Sequence, residues 1–181
     1  MKIKLTIAVL GLLILLIILG LSSPFFKSWQ PSAQAINAGA PSKVLIKDLT
    51  EGVPFDVEWR GKPYSILLLS QQGKAELELF APHVCRPTDT KHPSIVVVEK
   101  VSSYLGCIVV HQPKQEDSQW QGGYRDPCHG YLYDYAGRIV DNTAPAKNFP
   151  PHATSGTKAC LLPDLAVPNF SVSDGVITIH Q

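Results

Sequence analysis

The apolar positions first form one unbroken block. From Leu5 to Leu21 the chain reads LTIAVLGLLILLIILGL, 17 residues without a charge. A bilayer-crossing helix needs about 20 apolar residues, with a range of roughly 17–25. The block therefore predicts one N-terminal transmembrane helix and, with its flanks, a membrane anchor over residues 1–27. Lys2 and Lys4 ahead of it favour a cytoplasmic N-terminus, while Phe25, Phe26 and Trp29 suit the far interface. The competing reading is a signal peptide cleaved after SAQA, at Ala35. That site lies 14 residues beyond the block, and the block exceeds the roughly 7–15 residues of a signal-peptide core. A retained anchor is the expectation. On either reading the body is exported, to the periplasmic or extracellular side of the cytoplasmic membrane.

After a polar, small-residue linker over 28–43, the period shortens to that of strands. KVLIKDL and PFDVEWRGKPYSILLLS predict short strands, the second run split by a turn at 60–63. KAELELF, 74–80, alternates apolar and polar, which suits a half-buried strand, although it could also begin a helix. SIVVVEKV reads as a buried strand, and further strands are expected at 107–111, 131–134, 138–140 and 176–180, the last after the turn residues SDG. Long loops fall around 82–93, 112–123 and 143–168. No internal repeat is visible. The body, 44–181, is expected to be one all-β domain of antiparallel strands.

Composition sharpens this only a little. A chain of 181 residues holds one ordinary domain and an appendage. Lys+Arg 16 against Asp+Glu 15 leaves no field to attract nucleic acid. Fifteen prolines and 13 glycines fit a turn-rich body. Four cysteines in an exported domain point to disulfides, with three pairings open.

The unusual residues stand in two loops, SSYLGC (102–107) and DPCHGY (126–131). With WRGKP at 59–63, YDYAGR at 133–138, Pro168-Asn-Phe170 and the closing strand, they fall in the order found in one family. The chain resembles the Rieske iron–sulfur proteins, in particular the bacterial Rieske subunit of ubiquinol–cytochrome c reductase, over nearly its whole length. The resemblance implies a Rieske-type antiparallel β domain with a small subdomain built from the two loops. It implies a [2Fe–2S] cluster held by two cysteines and two histidines. It also implies that Cys107 and Cys128 are the family's non-ligand pair, joined as a disulfide.

The positions equivalent to the four cluster ligands are Ser102, Tyr104, Asp126 and His129, so one of four ligands is kept. A Rieske centre needs two thiolates on one iron and two imidazoles on the other. Hydroxyl and carboxylate are hard donors and do not replace soft thiolates. The expectation is a cluster-free head with no cofactor and no metal. A mononuclear ion on Asp126, His129 and Tyr104 has suitable donors, but no spacing enforces it. Cluster-bearing relatives commonly carry a twin-arginine signal; no Arg-Arg precedes Leu5 here, and the first arginine is Arg60. Cys85 and Cys160, which have no match in the family signature, are expected to form a second bridge. Tyr131 and Tyr133 match a serine and a tyrosine that bond toward cluster or ligand sulfur in relatives. The alternation of Tyr131, Tyr133 and Tyr135 is explained by sheet packing. His83, His92, His111, His152 and His180 read as solvated polar residues.

The reading this favours is a membrane-anchored, non-redox subunit or binding module, docking on a cytochrome bc-type complex through a cytochrome b-type subunit and catalysing nothing by itself. The alternatives are an electron-transfer subunit of quinol–cytochrome c oxidoreductase with an atypical centre, and an extracellular assembly or pilus-type protein that self-associates.

Overall fold

A computed structural model describes residues 2–29, 39–87, 94–115, 118, 120–141 and 158–180. The chain divides into two units, Met1–Ala40 and Pro41–Gln181. The first holds one helix, α1 (Lys2–Ser28). Among the described residues no helix is long and apolar enough to cross a membrane, so the anchor expected over 1–27 rests on the sequence. The expected linker falls mostly outside the described residues.

The second unit is mainly antiparallel sheet. Its strands are β1 (Ser42–Leu45), β2 (Phe55–Trp59), β3 (Lys62–Leu68), β4 (Ile95–Glu99), β5 (Val110–Pro113), β6 (Gly122–Arg125), β7 (Leu132–Tyr133), β8 (Asn169–Ser173) and β9 (Val176–His180). Among the described residues these form three three-stranded sheets, ordered β1-β9-β8, β2-β3-β4 and β5-β6-β7.

The alternation of side chains along β3 and β4 places the core. Tyr64, Ile66, Ile95 and Val97 join Val44, Phe170, Ile177 and Ile179 on one face. Leu67, Leu69, Val96 and Val98 join Tyr124, Tyr133, Ile139 and Leu165 on the other. Successive strand residues point to opposite faces, so the β2-β3-β4 sheet is the middle layer, buried on both sides. That is why SILLL and IVVV read as continuous apolar runs without alternation. Ser65, fully buried within that run, is satisfied by the Tyr124 hydroxyl at 2.9 Å.

Residues 74–80 correct the strand reading: Gln71–Phe80 is a helix, α2. Ser70 caps it, its Oγ accepting from Gly73 N at 3.0 Å, and Lys, Ala, Glu and Leu are good helix formers. Leu77 and Phe80, three apart, turn inward, whereas Leu79 is 76% exposed. Its outward Leu79 is what made the segment look alternating. Two other strands also shift. Residues 138–140 form only single bridges, Ile139 with Tyr133 and Val140 with Val84. The strand expected at 107–111 begins at Val110, Ile108 being bridged to Val101 alone. Residues 143–157 of the last long loop lie outside the described residues.

Candidate functional site

Two turns meet at one end of the β5-β6-β7 sheet. In the first, Ser102 N donates to Cys107 O at 2.7 Å and closes the segment between them. Leu105 (φ 56°) and Gly106 (φ 73°) make the reversal, and Leu105 stands 78% exposed. The second turn follows β6. Asp126 N donates to Tyr131 O and Gly130 N to Asp126 O, both at 2.8 Å. Gly123 lets β6 approach β7 closely: a Cβ there would stand 2.2 Å from Tyr133 O.

Asp126, fully buried, is the hub. Its Oδ1 accepts from Cys128 N at 2.8 Å and His129 N at 3.1 Å, an Asx turn that shapes Pro127–His129. Its Oδ2 accepts from Ser102 Oγ at 2.8 Å and lies 3.1 Å from His129 Nδ1. Burial pushes the carboxyl pKa up, but these four hydrogen bonds outweigh it and hold the group below its ordinary value. An ionised carboxylate only accepts, so His129 Nδ1 carries a proton.

The donors can be followed outward. The single Ser102 proton is given to Asp126, so the Tyr133 hydroxyl, 3.1 Å away, donates to Ser102 Oγ. Tyr133 then accepts from Ser103 Oγ at 3.1 Å. Tyr104 N also donates to Ser102 Oγ, at 3.2 Å. Burial raises the Tyr133 pKa, which keeps the phenol a donor at neutral pH. Tyr104 lays its ring edge-on against His129 (centroids 4.8 Å) and Tyr131 (5.3 Å). Ser102, Tyr104, Asp126 and His129 are thus brought together. Tyr131, Tyr133 and Tyr135 pack into one apolar cluster.

One disulfide braces the two turns, and a second lies outside them. Cys107 joins Cys128, Cα atoms 6.3 Å apart. Cys85 joins Cys160, Cα atoms 5.1 Å apart and 75 residues apart in sequence. Beside the second, Arg86 pairs with Asp164 at 3.1 Å and donates to the carbonyls of Cys160 and Leu162. Asp164 Oδ1 also accepts from Ile139 N at 2.8 Å. Sequence reading missed this buckle, and it missed Ser103. Neither leaves a signal, because each depends on a distant partner.

The remaining histidines separate. His83 stacks on Phe80 and His180 ends β9; His92 and His152 lie outside the described residues. His111 is more than solvated: its Nε2 lies 3.2 Å from the Tyr135 hydroxyl and burial lowers its pKa.

The donor set does not match a [2Fe–2S] centre. Two thiolates about 2.3 Å from one tetrahedral metal stand roughly 3.7 Å apart. Ser102 and Asp126 instead present oxygens 2.8 Å apart with a proton between them. The groups Cys107–Asp126–Cys128 and Cys85–Asp141–Cys160 bring potential ligand atoms within 4.8 Å, but all four sulfurs are spent in disulfides.

The chain is 33% identical over 143 residues to the ubiquinol–cytochrome c reductase iron–sulfur subunit of Allochromatium vinosum, covering 69% of each chain. It is 34% identical over 133 residues to the subunit of the same name from Bradyrhizobium diazoefficiens, covering 68% of this chain and 71% of that one. The mitochondrial cytochrome b-c1 complex subunit Rieske of Bos taurus is 34% identical over 133 residues, 68% of this chain and 44% of that one. Among solved structures, a chain described as hyperthermophilic respiratory Complex III matches with TM-score 0.51 and 16% identity, over 93% of this chain and 96% of that one. That likeness concerns the fold alone. No family model matches.

Proposed function

The chain belongs to the family of ubiquinol–cytochrome c reductase iron–sulfur (Rieske) subunits, and from that premise we propose that it is an anchored, exported bc-type subunit whose head works without an iron–sulfur cluster. The observation that carries this reading is the Ser102 Oγ to Asp126 Oδ2 hydrogen bond of 2.8 Å. The two positions where the family sets thiolates are clasped to one another. The imidazole of His129 is turned by its Nδ1 toward the same carboxylate. The carboxylate takes four hydrogen bonds and has no lone pair to spare for iron.

Retention of the anchor is supported by the uncharged block Leu5–Leu21, whose 17 residues fall within the roughly 17–25 of a bilayer-crossing helix. Docking on a cytochrome b-type subunit is supported by the tip, where Leu105 and Ile108 are exposed beside the Cys107–Cys128 bridge. Single exposed apolar side chains are ordinary; two beside a disulfide-braced turn make a small contact.

The test is purification of the full chain from solubilised membranes. Less than about 0.1 iron per chain, no acid-labile sulfide, no visible absorption and co-purifying cytochrome b are the expected results. Two irons and two sulfides per chain, with a spin-resonance signal on reduction, overturn the cluster-free reading. Large homopolymers without a cytochrome favour an assembly protein instead.

A further inference from the structure

Away from the four tip residues, a cleft of about 240 Å³ opens between α2, the end of β3, and Lys114 and Gln121, which flank β5 and β6. None of the four tip residues lines it. Leu67, Leu69 and Leu77, all buried in the core, face into it. Its rim carries Glu76, Lys114, Gln121 and Tyr135.

The polar rim has capacity left over. Among the described residues, Lys114 Nζ donates one proton to Gln121 Oε1 at 3.0 Å, which leaves two ammonium donors and the Gln121 amide NH₂. Among the same residues Glu76 Oε1 accepts from Gln72 Nε2 at 3.1 Å, which leaves its Oε2. The Tyr135 hydroxyl pairs with His111. Burial first, and then the Glu76 charge, hold that hydroxyl protonated. One cation, one anion and an amide thus ring an apolar floor.

We propose that this cleft binds a small zwitterion with a hydrocarbon side chain, the chemistry of an apolar α-amino acid. Its carboxylate meets Lys114 and Gln121, its ammonium meets Glu76, and its side chain covers the leucines. Charge complementarity selects this class. A simple carboxylic acid leaves the Glu76 charge without an opposite charge from the ligand, and a simple amine leaves that of Lys114 so. Drug-sized ligands occupy pockets of roughly 300–1,000 Å³, so a cleft of about 240 Å³ suits a smaller molecule. The assignment stands independently of whether the head holds a cluster.

The experiment titrates the ¹⁵N-labelled full chain in detergent micelles with L-leucine and follows the amide resonances. Saturable shifts over 69–77 and 121–135, with a dissociation constant on the order of 1 mM, are expected. N-acetyl-L-leucine and L-leucinamide, each lacking one charge, should bind about tenfold more weakly. Glu76→Gln should weaken L-leucine by about tenfold and leave N-acetyl-L-leucine unchanged. Lys114→Met should weaken L-leucine similarly and leave L-leucinamide unchanged. The variants' own spectra report whether each is folded. No saturable shift in those segments at 50 times that concentration, or an equal response to the three probes, overturns the proposal.

Discussion

Replacing Asp126 with alanine should cost the head a large part of its stability. The carboxylate is fully buried and accepts from Ser102 Oγ, His129 Nδ1 and two backbone N–H groups. Hydrogen bonds to a charged acceptor contribute roughly 1.5–3 kcal/mol each but do not add. Removing one member of a buried charged network typically costs about 3–5 kcal/mol, and that is the expected loss for Asp126→Ala. Asp126→Asn keeps an oxygen for the two backbone donors and loses only part of the second set, so about 1–2 kcal/mol is expected. The assay is urea unfolding of the full chain in detergent, read by tryptophan fluorescence. The pH dependence gives an independent check. The folded carboxyl is held below its ordinary value, so its contribution is present above about pH 4 and is lost as pH falls through the folded pKa. The gap between wild type and Asp126→Ala should therefore be constant from about pH 7 to 5 and narrow in stronger acid. A loss below about 1 kcal/mol, or a gap that widens in acid, would refute the hub.

Three other outcomes follow from the same geometry. Serine substitution of the Cys85–Cys160 pair, 75 residues apart, should destabilise by about 4.5 kcal/mol, against about 3 kcal/mol for the Cys107–Cys128 pair, 21 apart; calorimetric midpoints in the reverse order contradict the loop-closure account. The triple variant Ser102→Cys, Tyr104→His, Asp126→Cys restores two thiolates and two imidazoles. Reconstituted with ferrous iron and sulfide it should turn brown and give a Rieske-type spin-resonance signal, and a colourless product argues that these are not the ligand positions. Gly123→Ala places a Cβ about 2.2 Å from Tyr133 O at φ 144° and should abolish soluble folded expression; a variant that melts with the wild type refutes the close approach of β6 to β7.

The strands that could be read from the sequence are those whose neighbours impose a clear period. VITIH after SDG gives β9 to the residue, because its inward Ile177 and Ile179 alternate with outward positions and the turn marks its start. β4 is equally plain, since a strand buried on both faces has nothing polar to hide. Residues 74–80 fail for a local reason: the exposed Leu79 imitates a period of two on a helix whose cap, Ser70, lies before the segment. At the site, the family resemblance names Ser102, Tyr104, Asp126 and His129 together, but the chemistry joining them is not legible. A proton shared between residues 24 apart, and Tyr133 bridging two serines, are products of tertiary placement. The Arg86–Asp164 pair, 78 residues apart, is hidden for the same reason.

The two bridges are nested, Cys107–Cys128 lying wholly inside the span from Cys85 to Cys160. In chain order Cys85 becomes available before Cys107, and the two are not partners. An oxidant acting as thiols appear would join the wrong pair. Cys85 has to wait unpaired for Cys160, the last of the four, or else a disulfide isomerase must undo the early mistake. Maturation of this protein is therefore expected to depend on a shuffling enzyme in its compartment. Strains lacking one should accumulate a Cys85–Cys107 species that migrates differently on non-reducing gels.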